Sequence, residues 1–119
     1  MRLPADPGLV SAIRLMASGM TAGQCTIAEI DDVKIAVSEV LLALIEHGSG
    51  LALSVSMRRA DSTFEISGST NAGTFDRDHP DLALCETVLA EVCSWHSIEL
   101  VGSVLNISAA VRLGRNDDR

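Results

Sequence analysis

The hydrophobic periodicity of this chain changes at one point, and that change limits the folds open to it. From Ile27 to His47 apolar residues recur at helical spacing, and the core-facing stripe is Ile30, Val33, Val37, Val40, Leu41 and Leu44. After Gly48 the period falls to two, in LALSVSMRR, which is typical of a strand with one buried face. The sequence therefore predicts a long amphipathic helix that ends at Gly48 and is followed by a strand of a sheet. The other side of this helix carries Asp32, Glu39, Ala43 and Glu46.

Similar patterns predict the remaining elements. In chain order they are a short strand at Arg2–Leu3, a helix from about Pro7 to Met20, the strand TFEISGS, a helix from about Pro80 to Ser94, and the strands SIELVG and SVLNISAAVRL. Asp6 suits the N-cap of the first helix, with Pro7 at its first position. Tight turns at Ala60–Ser62 and Gly102–Ser103 imply two antiparallel hairpins. We therefore expect an α+β two-layer sandwich, in which a mixed, mostly antiparallel sheet carries three helices on one face.

Length and charge narrow the classes of function. A chain of 119 residues fits one domain, here residues 1–113, with a polar tail at 114–119. The net charge of -7 disfavours nucleic acid and anionic membranes as partners, because both need clustered Lys and Arg. No apolar run is long enough to cross a bilayer, and no export signal is visible. Three cysteines without CxxC spacing indicate reduced thiols, a cytoplasmic location and no metal site.

The order of elements and one motif resemble a known family. The opening RLPADPGLVSAIR and the helix end SEVxxxxxEHG resemble the anti-sigma-factor serine kinases of the GHKL ATPase superfamily, over about Arg2 to Leu113. In that family the helix motif reads like SEAxxNAxxHG. Its glutamate acts as the base or orients the nucleophile, and its asparagine holds Mg²⁺ against the phosphates. The resemblance puts Glu39 at the glutamate, Ala43 at the asparagine, and His47 and Gly48 at the end of the motif.

Two further family motifs are degraded here. The DxGxG segment, whose aspartate accepts the adenine amino group, matches best at residues 69–73, with Ser69 at the aspartate, Asn71 at the first glycine and Gly73 at the second. The glycine turn that receives the phosphates falls on HPDLAL, where Asp81 and Ala83 replace glycines.

The metal position is degraded as well. Ala43 offers no oxygen to Mg²⁺, which requires octahedral oxygen ligands. Metal, base and phosphate contacts are therefore absent together, and the resemblance implies a nucleotide site that no longer holds ATP.

Two hypotheses about function follow. The first is a regulatory domain without ATP turnover and without a cofactor, which binds a sigma factor, an anti-anti-sigma protein or a related regulatory protein. The alternative is a divergent serine/threonine protein kinase that uses ATP and Mg²⁺ through Glu39. A third option is a dimerisation domain, and the family resemblance implies a homodimer or a heterodimer with a relative. Glu39 is most simply a solvated carboxylate, His47 a partner of the last helical carbonyls, and Trp95 a core or edge anchor.

Overall fold

The fold consists of three helices and a five-stranded sheet. The computed structural model describes residues 1–23, 25–48, 52–73 and 75–114, so Leu51 and the tail 115–119 lie outside the described residues. The elements are β1 (Arg2–Pro4), α1 (Leu9–Thr21), α2 (Ile27–His47), β2 (Ala52–Arg59), β3 (Thr63–Asn71), α3 (Pro80–Val92), β4 (Trp95–Val101) and β5 (Val104–Arg112). In the described part of the chain, no helix has the length and apolar character that a membrane span needs.

The strands form one open sheet in the order β1-β2-β3-β5-β4. Each pairing between the described strands is antiparallel. The predicted α+β class and both hairpins are therefore confirmed. The sheet was predicted to be mixed, but the described strands form no parallel pair. Along β3 and β5, buried and more exposed residues alternate, so one face of the sheet is covered and the other is open.

The core lies between the covered face of the sheet and the helices. The largest fully buried side chains come from α2, α3 and the central strands: Phe64, Leu41, Leu44, Ile66, Leu82, Leu89, Leu105, Ile107, Val33, Val37, Val40 and Val111. α2 contributes the predicted stripe, which confirms that its core face was identified correctly; only Ile30 at the start of that stripe is half-buried.

The boundaries of two helices differ from the prediction. α1 begins at Leu9 rather than Pro7, and Gly8 is its N-cap. Asp6 still accepts a hydrogen bond from the Gly8 amide (2.9 Å), but it does so in a turn that precedes the helix. α3 ends at Val92, before the predicted end near Ser94, and Trp95 is the first residue of β4. Trp95 lies on an edge strand and is 56% exposed, so of the two predicted roles, core anchor or edge anchor, the core role is wrong.

Candidate functional site

The long helix α2 is held at both ends by local interactions. At its start the Thr26 hydroxyl accepts a hydrogen bond from the Glu29 amide (3.1 Å), and the Glu29 carboxylate accepts one from the Thr26 amide (3.0 Å). At its end Gly48 is extended, with φ -83° and ψ 155°. A Cβ at Gly48 would lie 2.6 Å from both the Leu44 carbonyl oxygen and the Thr70 methyl carbon. The glycine therefore permits close approach between the helix end and β3, and not a left-handed turn.

A groove runs between α2 and α3, on the side of α2 that carries the predicted site. It forms a cavity of about 290 Å³ lined by Glu39, Leu42, Ala43, Glu46, His47, Asp81, Leu84 and Cys85. Its walls combine three carboxylates with two leucines. The structure therefore brings together Glu39, Ala43 and His47, as the helix motif predicts.

Glu39 lies where the two helices meet. The Cys85 thiol of α3 donates to the Glu39 backbone oxygen (3.8 Å). The Glu39 side chain was expected to be solvated, and it is half-buried. Burial raises the pKa of the Glu39 carboxyl; the nearby Cys85 thiol opposes this shift, and the charge of Glu46 adds to it. Burial also raises the pKa of Cys85 to about 12, together with the charge of Glu39, so this thiol is neutral.

Ala43 occupies a different environment from the one predicted. It is only 5% exposed, although the helical pattern placed it on the outer side of α2. The reason is that α3 packs across that side and covers it, so α2 is buried on two sides. A methyl group fits this position, and the Ala43 side chain offers no oxygen atom to a cation. Among the described residues, no three His, Cys, Asp or Glu side chains are placed to hold a metal ion together.

His47 belongs to a small ring cluster at the end of α2. Its ring meets Phe75 edge-on, with centroids 6.1 Å apart, and meets His79 at 5.1 Å. These contacts tie the segment before α3 to the end of α2. His47 was expected to contact the last carbonyls of its helix, and the contacts seen are with aromatic rings instead.

Ser69 and Asn71 do not join this groove. Both belong to β3, where Ser69 pairs with Ser54 of β2 and Asn106 of β5. Ser69 lines a separate groove of about 390 Å³ on the open face of the sheet, among hydroxyl-bearing residues of neighbouring strands. The structure therefore does not bring these two residues together with Glu39 in the α2–α3 groove. Gly73 follows β3 and is exposed.

The residue that faces α2 at this level of β3 is Thr70. It is 5% exposed, and its hydroxyl donates to the Ala52 carbonyl (3.0 Å). Shifting the family alignment by one residue puts Thr70 at the aspartate and Ala72 at the first glycine. Neither residue carries a charge, so the shifted alignment also lacks the aspartate of the motif.

The start of α3 uses its own backbone donors internally. Pro80 has no amide hydrogen, and the Asp81 amide donates to Nδ1 of His79 (3.1 Å). The amides of Leu82 and Ala83 donate to the His79 carbonyl at 3.0 and 3.3 Å. The first turn therefore presents no unsatisfied amide to an anion, and the carboxylate of Asp81 lies beside it.

Sequence reasoning overlooked several residues of the groove. Leu42, Leu84 and Cys85 line it, although their spacing indicated only a helix surface or a core face. Leu84 is 64% exposed beside three carboxylates, and both its exposure and these neighbours are visible only in the structure.

Comparisons with known proteins identify the fold. Neither a family model nor a curated protein matches the chain. Among solved structures, the RsbU and RsbW domains of Rv1364c from Mycobacterium tuberculosis match with a TM-score of 0.66 and 19% identity, over 97% of this chain and 32% of that one. The histidine kinase domain of the blue-light activated kinase EL346 from Erythrobacter litoralis matches with a TM-score of 0.58 and 11% identity, over 98% of this chain and 66% of that one.

A third structure, histidine kinase AdeS from Acinetobacter baumannii, matches with a TM-score of 0.57 and 11% identity, over 97% of this chain and 68% of that one. The chain thus spans about a third of the mycobacterial protein and about two thirds of each kinase. At these identities the likeness establishes the fold alone, which this chain shares with the matched part of the mycobacterial structure and with the two histidine kinase structures.

Proposed function

We propose that this chain is a regulatory domain that acts by binding another protein and does not turn over ATP. Its partner is a sigma factor, an anti-anti-sigma protein or a related regulatory protein, by analogy with the RsbW domain whose fold it shares. The resemblance places the nucleotide between α2 and α3, and the residues found there do not suit one. The proposal therefore depends on the chemistry of this groove, since the fold is also that of active kinases.

The observation that carries the proposal is the start of α3. A helix N-terminus binds phosphate when its first amides are free and point at the anion. Here the amides of Asp81, Leu82 and Ala83 all donate to His79, and Pro80 has none. Opening this turn for a phosphate would remove existing hydrogen bonds before new ones form.

The charge of the groove acts in the same direction. Glu39, Glu46 and Asp81 share it, and the pKa of Glu39 is raised mainly by burial, with a further contribution from the charge of Glu46. If the losses of metal, base and phosphate contacts each weaken binding by about 1–2 kcal/mol, the affinity for Mg-ATP falls by roughly two to four decades. A micromolar site would become millimolar or weaker.

The same groove suits a basic peptide segment. Carboxylates at Glu39, Glu46 and Asp81 attract a Lys or Arg side chain, and Leu42 and Leu84 offer apolar contact around it. A photo-crosslinking residue at Leu84 should capture a partner from cells at a site rich in Lys or Arg. The same residue at Leu15, which is 75% exposed on α1, is the matched control. Equal capture at both positions would contradict binding at the groove.

One observation favours the alternative, a divergent serine/threonine kinase. Glu39 is retained and half-buried with a raised pKa, as a general base would be. Calorimetry with ATP and Mg²⁺ separates the two functions, with a thermal shift as a second readout. We expect no binding tighter than about 100 µM. Tighter binding, or phosphate transfer that Glu39→Ala abolishes, would establish the kinase and refute our proposal.

A further inference from the structure

The outer side of α2 carries two stripes of residues that repeat with a spacing of seven. The apolar stripe is Ala28, Ile35 and Leu42, and the acidic stripe is Asp32, Glu39 and Glu46. Ile35 is 39% exposed, and each of the others is exposed or half-buried. Seven residues turn an α-helix by about 700°, so the members of one stripe stay aligned and lie about 10.5 Å apart. The two stripes are offset by four residues and therefore run side by side.

α3 runs alongside the acidic stripe in the opposite direction to α2. Its start lies beside the end of α2, where the ring of its N-cap residue is 5.1 Å from that of His47. Its middle lies beside Glu39, whose backbone oxygen accepts a hydrogen bond from the Cys85 thiol. Its end lies near Asp32, because burial raises the pKa of the Cys93 thiol to about 11 and the charge of Asp32 adds to this shift. The acidic stripe is therefore a wall of the α2–α3 groove, and the apolar stripe is the outer rim of that wall.

An exposed leucine of α3 contributes to the opposite wall of the groove. Leu84 is 64% exposed and lines the same cavity of about 290 Å³ as Glu39, Leu42 and Glu46. The two carboxylates therefore lie between apolar side chains of both helices. A Lys or Arg side chain suits this arrangement, because its apolar stem contacts the leucines while its charged end reaches a carboxylate. The net charge of -7 adds a long-range attraction for such a partner.

We infer that the α2–α3 groove takes an amphipathic α-helix of a partner protein, with Lys or Arg at every seventh position. This inference rests on the proposed function and specifies the segment of the partner that binds. A helix presents residues seven apart on one side at about 10.5 Å, which is the spacing of Glu39 and Glu46 along α2. In an extended strand, at about 3.3 Å per residue, that distance spans about three residues, and side chains three apart point to opposite faces. A strand therefore cannot direct two cations to both carboxylates, whereas a helix can.

Binding of synthetic peptides to the full chain, measured by fluorescence anisotropy, tests the spacing. The probe is an alanine-based helix of about 18 residues, with a lysine at every seventh position and leucines three and four residues after each lysine. A control peptide of the same composition has its lysines at every fifth position, so they point in different directions around the helix. We expect the control to bind about tenfold more weakly. Equal binding of the two peptides, or no binding of the probe at about 1 mM, would overturn the inference.

Charge reversal on α2 tests where the helix binds. Glu46→Lys should weaken binding of the probe about tenfold, and folding should be retained because a lysine suits the last turn of a helix. Replacing either the first or the last lysine of the probe by glutamate should then restore binding, and the replacement that does so shows the direction of the bound helix. Asp61→Lys, in the turn between β2 and β3, makes the same charge change outside the groove and should leave binding nearly unchanged. Equal weakening by both variants, or no recovery with either altered peptide, would overturn the inference.

A helix-breaking peptide separates a helical occupant from an extended one. A proline in the middle of the probe should weaken binding about tenfold or more, and unchanged binding would overturn the inference of a helix. The test of the proposed function is independent, because binding of ATP and Mg²⁺ tighter than about 100 µM refutes that function whatever the peptides do. If ATP does not bind and a photo-crosslinker at Leu84 captures a partner, but the peptides bind without regard to lysine spacing, the proposed function stands and the inference of a helix is wrong.

Discussion

Gly48 matches the glycine at the end of the kinase helix motif, and the structure predicts that packing alone requires it. In Gly48→Ala the new Cβ would lie 2.6 Å from the Leu44 carbonyl oxygen, 2.6 Å from the Thr70 methyl carbon and 3.2 Å from the Asn71 carbonyl oxygen. Two of these three obstacles are backbone atoms, which cannot rotate away. Residue 48 must therefore shift by several tenths of an ångström relative both to the last turn of α2, which carries Leu44, and to β3.

Opposing effects set the size of the change. Overpacking of this kind costs about 1–3 kcal/mol. Alanine tolerates the extended backbone at Gly48, so the smaller entropy of its unfolded chain returns about 0.4–1 kcal/mol. We expect a net loss of about 1–2 kcal/mol in the free energy of unfolding. With an unfolding entropy of roughly 0.25 kcal/mol/K for a chain of this length, Tm falls by about 4–8 °C.

Thermal and urea denaturation of matched variants measure this change. Gly19→Ala is the control, because Gly19 lies inside α1 with nothing within 4 Å of an added Cβ. It should stabilise the protein by about 0.5–1 kcal/mol. In a Thr70→Ser background, which removes the methyl group and keeps the hydroxyl, Gly48→Ala should cost less. If Gly48→Ala were neutral or stabilising, or cost the same in both backgrounds, the steric argument would be refuted.

Two further predictions concern ionisable groups of the groove. The pKa of the Glu39 carboxyl is raised above 4.5 in the folded protein, so the unfolded chain loses this proton first, and stability falls as pH rises from about 4.5 through the folded pKa. In urea titrations Glu39→Gln should therefore stabilise the protein at pH 7 and not at pH 4. An equal effect at both pH values would contradict burial as the cause. Burial raises the pKa of the Cys85 thiol to about 12, against 9.0 for a free thiol, so at pH 8 its thiolate fraction is about a thousandfold smaller than that of a free cysteine. Iodoacetamide should therefore alkylate Cys85 far more slowly in folded than in denatured protein, as measured by mass spectrometry. Equal rates would contradict this environment.

The sequence by itself determined the elements and their class. The change of period at Gly48 located α2 and β2, because amphipathic spacing follows directly from helix and strand geometry. The turns at Ala60–Ser62 and Gly102–Ser103 identified both hairpins, since short connections leave antiparallel pairing as the simple outcome. The helix motif brought Glu39, Ala43 and His47 together correctly, because residues on one helix keep their spacing in any fold.

Tertiary structure alone decided which residues share the site. Neighbouring residues of a strand point to opposite faces, so a shift of one position separates Thr70 under α2 from Ser69 on the open face. The burial of Ala43 depends on α3, whose position does not follow from the pattern of α2. Whether the Asp81 amide at the start of α3 is free depends on the ring of His79, and which strands form the edges of the sheet depends on strand order. These features depend on contacts between segments that are distant in the chain, or on side-chain conformation. The local periodicity of the sequence contains no information about either.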